Sequence, residues 1–359
     1  MRSTQRHSFS RLAAASPRTL AFVFIAAIAI VHSSPVLAAD ALRLHLYWQH
    51  QAQFAGYYVA AARGYYEREG LHVTFVESGA GIQPLERLAS GQAEISIGWL
   101  AHALQARERG ADLVNVAQVF QKSGMALACR RSGGIGRSAD LPGHRVGVWN
   151  VGDEINVRLW MKRAGMNPDS ITTVGQAADG DDLIRGRVAC ATVMTYNEYW
   201  KLIDGGIKPA DLFVVRFGDA SLGLLEDGLY VRSERLRDPA FRSAIARFLR
   251  ASADGWRYAR EQRGEALRLV LAQRRGLDPL HQRRMLDAVL GLIPAQKSGA
   301  PFGRLDPEQF RRTVEALAED PAHGDRARQA ASDSWTHDLL DEAGLIIKKN
   351  SLQRDKRAF

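Results

Sequence analysis

The sequence predicts an α/β protein built as two consecutive lobes with a cleft between them, and three observations predict it. From Leu42 onward, short β-rich runs alternate with amphipathic helical segments, the pattern of βαβ units and a mostly parallel sheet. The alternation is written twice, once up to about Gly124 and again from the run MALACR that begins at Met125. After LEDGLYVRSE the pattern turns to helices only, and these must cover a sheet already made, most simply the first.

In order, LRLHLYW ends at Trp48 and leads into a helix expected from about Phe54 to Glu69. LHVTFVES precedes the helix GIQPLERLASG, AEISIGW precedes LAHALQARERG, and LVNVAQVF completes the first set. In the second set MALACR is followed by RVGVW, a helix from about Asp153 to Ala164, ITTVGQ, a short helix near Asp181 to Gly186, VACATVM, the helix YNEYWKLIDGG and LFVVRF. Five helices then follow: PAFRSAIARFLRASADGWRYAREQ, EALRLVLAQRRG, PLHQRRMLDAVLGLI, DPEQFRRTVEALAE and SWTHDLLDEAG. Proline at or near several starts and glycine after several ends mark their limits. The expected organisation is a leader over 1–38, a first lobe from 40–124 and 229–345, a second lobe over 125–228, and a basic tail over 346–359.

The leader is read from Arg2, Arg6, Arg11 and Arg18 with no acid, the apolar run LAFVFIAAIAIV from Leu20 to Val31, and VLA ending at Ala38. That order is the pattern of a cleavable secretory signal, with an uncleaved anchor as the alternative. No cysteine stands directly after the cleavage position, so a lipid anchor is not indicated, and the expected location is the periplasm. Without the leader's four arginines the net charge of +9 falls to +5, and the remaining basic residues are scattered, which argues against a nucleic-acid surface. The two cysteines, Cys129 and Cys190, both lie in apolar strand-like runs. They are compatible with one disulfide or with two buried thiols, and have no redox or zinc spacing.

In open α/β sheets ligands bind beyond the carboxyl ends of the strands. Those ends carry Trp48 with Gln51 and Gln53, Trp99, Gln121 to Gly124, Trp149 with Asp153 and Glu154, Tyr196-Asn197-Glu198, and Glu226-Asp227. Flat rings recurring beside amides and carboxylates suit a planar heteroaromatic ligand, stacked between rings and oriented by edge hydrogen bonds. Turns suited to an anion are limited to Ser78-Gly79-Ala80-Gly81, Lys122-Ser123-Gly124 and Arg216, which makes an anionic ligand the second choice. No GxSxG, HExxH or GxxxxGK[ST] motif occurs. Glu198 and Asp227 could form a general acid/base pair, but no activated nucleophile or metal motif accompanies them.

The segments W-x4-QFAGYYVA-x3-GYY-x3-GL-x-V, LASGQAEISIGWL, YNEYW and LEDGLYV together resemble the thiamin-pyrimidine-precursor-binding family, substrate-binding proteins of ABC importers. The resemblance runs from about Leu42 to Arg250. It implies the type II periplasmic-binding fold, two α/β lobes joined by two crossover segments. It also implies a non-enzymatic role without a cofactor, a small-molecule ligand, an ABC permease of the inner membrane as partner, and a monomer. The pyrimidine precursor of thiamin becomes the leading ligand, with riboflavin or an aliphatic sulfonate as alternatives. The candidate binding set is Trp48, Gln53, Phe54, Trp99, Gln121, Trp149, Asp153, Tyr196, Glu198 and Asp227. The family's sheet order would bring Cys129 beside the VACATVM strand, within reach of Cys190. Eukaryotic pyrimidine synthases that use pyridoxal phosphate belong to the wider family. This chain departs from them in its leader, in lacking their cysteine-rich motif, and in having few lysines at strand ends for a Schiff base.

Overall fold

The computed structural model describes residues 39–149, 153–219, 223–294, 301–320 and 322–346. The expected leader over 1–38 and the tail from 347 lie outside the described residues. The first lobe runs β1 (Asp40–His45), α1 (Ala55–Ala62), α2 (Tyr65–Arg68), β2 (Leu71–Val76), α3 (Pro84–Ala89), β3 (Ile95–Gly98), α4 (Leu100–Glu108) and β4 (Leu113–Gln118). The second runs β5 (Met125–Arg130), β6 (Arg145–Val148), α5 (Ile155–Arg163), β7 (Thr172–Gly175), α6 (Asp181–Ile184), β8 (Cys190–Met194), α7 (Glu198–Asp204) and β9 (Leu212–Arg216). Then come β10 (Gly228–Arg232), α8 (Pro239–Glu261), α9 (Arg263–Leu271), α10 (Pro279–Leu292), α11 (Pro307–Ala318), α12 (Asp325–Ala330) and α13 (Asp338–Glu342).

The two sheets share one plan. Their strand orders are β2-β1-β3-β10-β4 and β7-β6-β8-β5-β9. Each is parallel except for one strand, β10 in the first and β5 in the second, which runs against both its neighbours. Those two strands follow the crossovers, 119–124 and the described residues 217–219 and 223–227. Each lobe thus receives its antiparallel strand directly after the chain leaves the other lobe. The crossovers lie against each other so closely that a Cβ at Gly223 would sit 2.0 Å from the Cβ of Ser123.

The single helix expected over 54–69 is two, because Gly64 adopts a left-handed φ of 68° that ends α1 and reorients the chain before α2. Helix α1 is apolar nearly all round, AGYYVAAA, because it packs against both α8 and α9. The crossing of α1 and α8 is glycine-dependent: a Cβ at Gly56 would meet the Trp256 ring at 2.2 Å, and one at Gly255 would meet the Gly56 carbonyl at 2.1 Å. Asp238 caps α8 by accepting from the Ala240 N–H at 2.9 Å, with Pro239 at the first helical position.

The C-terminal helices cover the first lobe, α8 to α10 on the side of α1 and α11 with α12 against α4. Helix α11 also reaches α5 of the second lobe, where Lys162 meets Glu319 at 2.7 Å. Helix α12 carries no strong apolar periodicity in DRARQA and escapes the sequence reading. Cys129 and Cys190 face each other in the β5–β8 ladder and are joined by a disulfide.

Candidate functional site

A cavity of about 340 Å³ lies between the lobes at the carboxyl ends of their strands. The chain reaches it first where β1 ends. Tyr47 stacks on Trp99 with ring centroids 4.8 Å apart and planes 18° from parallel, while Trp48 lines the cavity beside it. The polar run after Trp48 turns inward: Gln51 Nε2 donates to Gln53 Oε1 at 2.6 Å, and Gln53 Nε2 donates to Asp227 Oδ2 at 2.7 Å. Trp99 Nε1 donates to the other oxygen of Asp227 at 3.2 Å. Asp227 therefore fixes the aromatic and amide walls from behind, and it does so from a left-handed φ of 46°, a conformation a non-glycine residue keeps only where its surroundings hold it.

The second lobe supplies Trp149, Asp153, Gln176 to Ala178, Met194, Tyr196, Asn197 and Glu198. Tyr196 reaches the cavity by packing edge-on to Phe120, and Gly124 makes room for it, since a Cβ there would lie 2.8 Å from the tyrosine ring. Glu198 opens α7, and its carboxylate accepts from the Met194 N–H at 3.0 Å and from Asn197 Nδ2. Burial raises its pKa against the opposing pull of Lys201 and these donors. Burial likewise pushes Asp227 up to about 7 and Glu226 up to about 8. Glu226 accepts from Ser123 Oγ and from the Gly124 N–H at 2.8 Å, binding one crossover to the other.

The structure thus brings seven of the expected residues together on the cavity: Trp48, Gln53, Trp99, Trp149, Asp153, Tyr196 and Glu198. Three lie elsewhere. Asp227 stands behind the wall. Phe54 is fully buried in the core under α1, because the turn over 52–54 rotates it away from the cleft. Gln121 belongs to a crossover, its side-chain amide donating to the Gln118 carbonyl and its backbone N–H to the Leu292 carbonyl. The expectation placed Phe54 and Gln121 on the ligand, and neither is part of the cavity lining. Among residues that the expected set omitted, Tyr47, Gln51, Asn197 and the loop Gly79–Pro84 line the cavity. His102, also omitted, stacks against Trp99 with centroids 5.4 Å apart, and its spacing three residues after Trp99 on α4 is the signal that marks it.

A family model described as NMT1/THI5 like matches residues 51–266. The chain belongs to the NMT1/THI5-like family. This NMT1/THI5-like chain is 24% identical over 127 residues to the 4-amino-5-hydroxymethyl-2-methylpyrimidine phosphate synthase of Schizosaccharomyces pombe, a match covering 35% of this chain and 37% of the synthase. It thus spans well under half the length of that relative. In three dimensions it is similar to a protein of Bordetella bronchiseptica RB50, with a TM-score of 0.65 and 16% identity over 86% of this chain and 98% of the other. It is also similar to the periplasmic aliphatic sulphonate binding protein SsuA of Escherichia coli, with a TM-score of 0.58 and 21% identity over 86% and 89%. The NMT1/THI5-like chain has the fold of the periplasmic binding proteins, two mixed α/β sheets with a cleft between them, as the resemblance in its sequence implied.

Proposed function

We propose that the chain is the solute-binding component of an ABC importer. In this reading it works in the periplasm after removal of its leader, takes a small planar heteroaromatic ligand, and hands it unchanged to a permease, with a thiamin pyrimidine precursor the favoured ligand. The observation that supports this reading is the composition of the cavity wall. Rings come from both lobes, Tyr47, Trp48 and Trp99 facing Trp149 and Tyr196, together with five side-chain amides and the carboxyl groups of Asp153 and Glu198. Among the described lining residues there is no lysine or arginine to neutralise a sulfonate or nitrate. A ring with amino substituents matches this wall: its faces stack, and its N–H groups donate to Glu198, Asp153 or an amide oxygen. A volume of about 340 Å³ is at the small end of ligand pockets, suited to one substituted ring.

Binding proceeds by closure. The ligand rests on one lobe, the other rotates about the paired crossovers, and the closed form is what the permease reads. Calorimetry with 4-amino-5-hydroxymethyl-2-methylpyrimidine, riboflavin and taurine tests the ligand class. The pyrimidine should bind with micromolar affinity, about −8 kcal/mol, and Trp48→Ala and Glu198→Gln should each weaken it by roughly tenfold or more. Tight taurine binding without pyrimidine binding, or full affinity in both variants, overturns the reading.

The synthase relatives favour a second reading, turnover in the same cleft. The described lining holds no lysine, cysteine or serine to act as a nucleophile. Product formation, or a pyridoxal absorbance band in the purified protein, would decide for that reading.

A further inference from the structure

We infer that two histidines of the first lobe, His102 and His281, position the two carboxyl groups that the second lobe presents to the ligand, so that the acidic wall of the cavity is assembled by closure. The inference rests on the ligand-cleft reading above and deepens it, naming what holds that wall in place.

Asp153 and Glu198 are the carboxyl-bearing residues of the described lining, and both belong to the second lobe. Each is reached from the first lobe through an imidazole. His102 Nε2 lies 3.0 Å from Asp153 Oδ1. On the opposite edge of that ring, Nδ1 lies 2.9 Å from the Tyr47 hydroxyl. The carboxylate can only accept, so Nε2 donates, and in the neutral ring Nδ1 accepts the tyrosine proton. The plane of the imidazole is set by Trp99, 17° from parallel. Tyr47, itself stacked on Trp99 and lining the cavity, is therefore tied to Asp153 through one ring.

The other relay has the same logic. His281, near the start of α10, places Nε2 2.9 Å from Asn197 Oδ1. An amide oxygen only accepts, so this nitrogen donates. Burial, with help from Lys201, lowers the imidazole pKa and keeps the ring neutral. The amide nitrogen of Asn197 then points the other way, donating to Glu198. Glu198 is held on its second oxygen by the Met194 N–H, so the donor from Asn197 fixes its remaining orientation.

Two ion pairs between the lobes lie away from the cavity. Lys162 to Glu319 and Arg284 to Asp204 have at least one well-exposed partner, and such pairs contribute a few tenths of a kcal/mol up to about 1. The histidine relays are part-buried and end on the cavity wall. They couple the position of the lobes to the position of the groups that recognise the ligand.

The test begins without ligand. Both natural cysteines are in the disulfide, so His72→Cys on the first lobe and Arg163→Cys on the second, both exposed, take spin labels selectively. Pulsed electron-spin measurements on the labelled full chain then read the distance between lobes. His102→Phe keeps a flat ring over Trp99 and removes both hydrogen bonds, and His281→Phe removes the other relay. Each should cut the closed population by about tenfold. His102→Gln, whose amide can accept from Tyr47 and donate to Asp153, should recover most of it. Should a phenylalanine variant fail to fold, Asp153→Ala and Asn197→Ala remove the same relays from the second lobe and carry the same expectation.

With 4-amino-5-hydroxymethyl-2-methylpyrimidine as probe, the phenylalanine variants should release it about tenfold faster while the association rate changes less. Closed populations equal to the parent's overturn the inference, and so does a loss that His102→Gln fails to recover, which would mark ring packing alone. If the parent does not bind this probe, the functional reading suffers, while the ligand-free distances still decide the role of the histidines.

Discussion

Glu226 and Asp227 are neighbours in sequence with their carboxyl groups turned to different tasks. Asp227 receives Gln53 and Trp99 behind the cavity wall, and Glu226 receives Ser123 and Gly124 between the crossovers. Both hold their protons to higher pH in the folded chain than the ordinary carboxylate range allows. Between that range and their folded values these two groups bind fewer protons in the unfolded chain than in the native one, so their contribution to stability is greatest at the acid end and declines as pH climbs from about 4 toward 8. Glu226→Gln removes one of the two groups responsible, and urea midpoints measured across that window should fall less steeply in the variant than in the parent. Trp48, Trp99 and Trp149 were legible as residues of the cavity wall because a large ring at a strand end is visible in one dimension. The place of Asp227 behind the wall was not, since it depends on a left-handed backbone angle and on two donors from distant segments.

At the scale of elements, helix and strand identities followed from apolar periodicity, while their interruptions and contacts did not. The break at Gly64 and the tight crossing at Gly56 and Gly255 are set by tertiary geometry, and a glycine in a helical pattern has several readings. Gly255→Ala forces a methyl against the backbone carbonyl of Gly56, which cannot yield as a side chain would. It should lower stability by roughly 1–3 kcal/mol, seen as a reduced melting temperature with the second lobe's disulfide intact. The pairing of Cys129 with Cys190 stayed open in the sequence because it turns on β5 entering the second sheet antiparallel beside β8. Phe54 and Gln121 show the same limit at the site. Phe54 ends a three-residue turn and Gln121 sits in a crossover, and no sequence period records which way such a segment directs a side chain.

For the whole molecule, two lobes in one plan were legible because the strand-helix alternation is written twice. The order of the strands within each sheet was not. The first sheet gains its last strand, β10, only after the chain has built the whole of the second, and that arrangement also dictates an order of assembly. The second sheet is complete once Arg216 has emerged, because all five of its strands lie within Met125–Arg216. The first is not: β4 has no strand partner besides β10 among the described residues, so it waits more than a hundred residues for its neighbour. Pulse-labelled hydrogen exchange during refolding should accordingly protect amides of β5 to β9 before those of β4 and β10. Until Gly228–Arg232 arrives, the nascent polypeptide carries a bare apolar ribbon, LVNVAQ, prone to sticking to its own kind. A cell making this protein has reason to keep the half-made chain escorted.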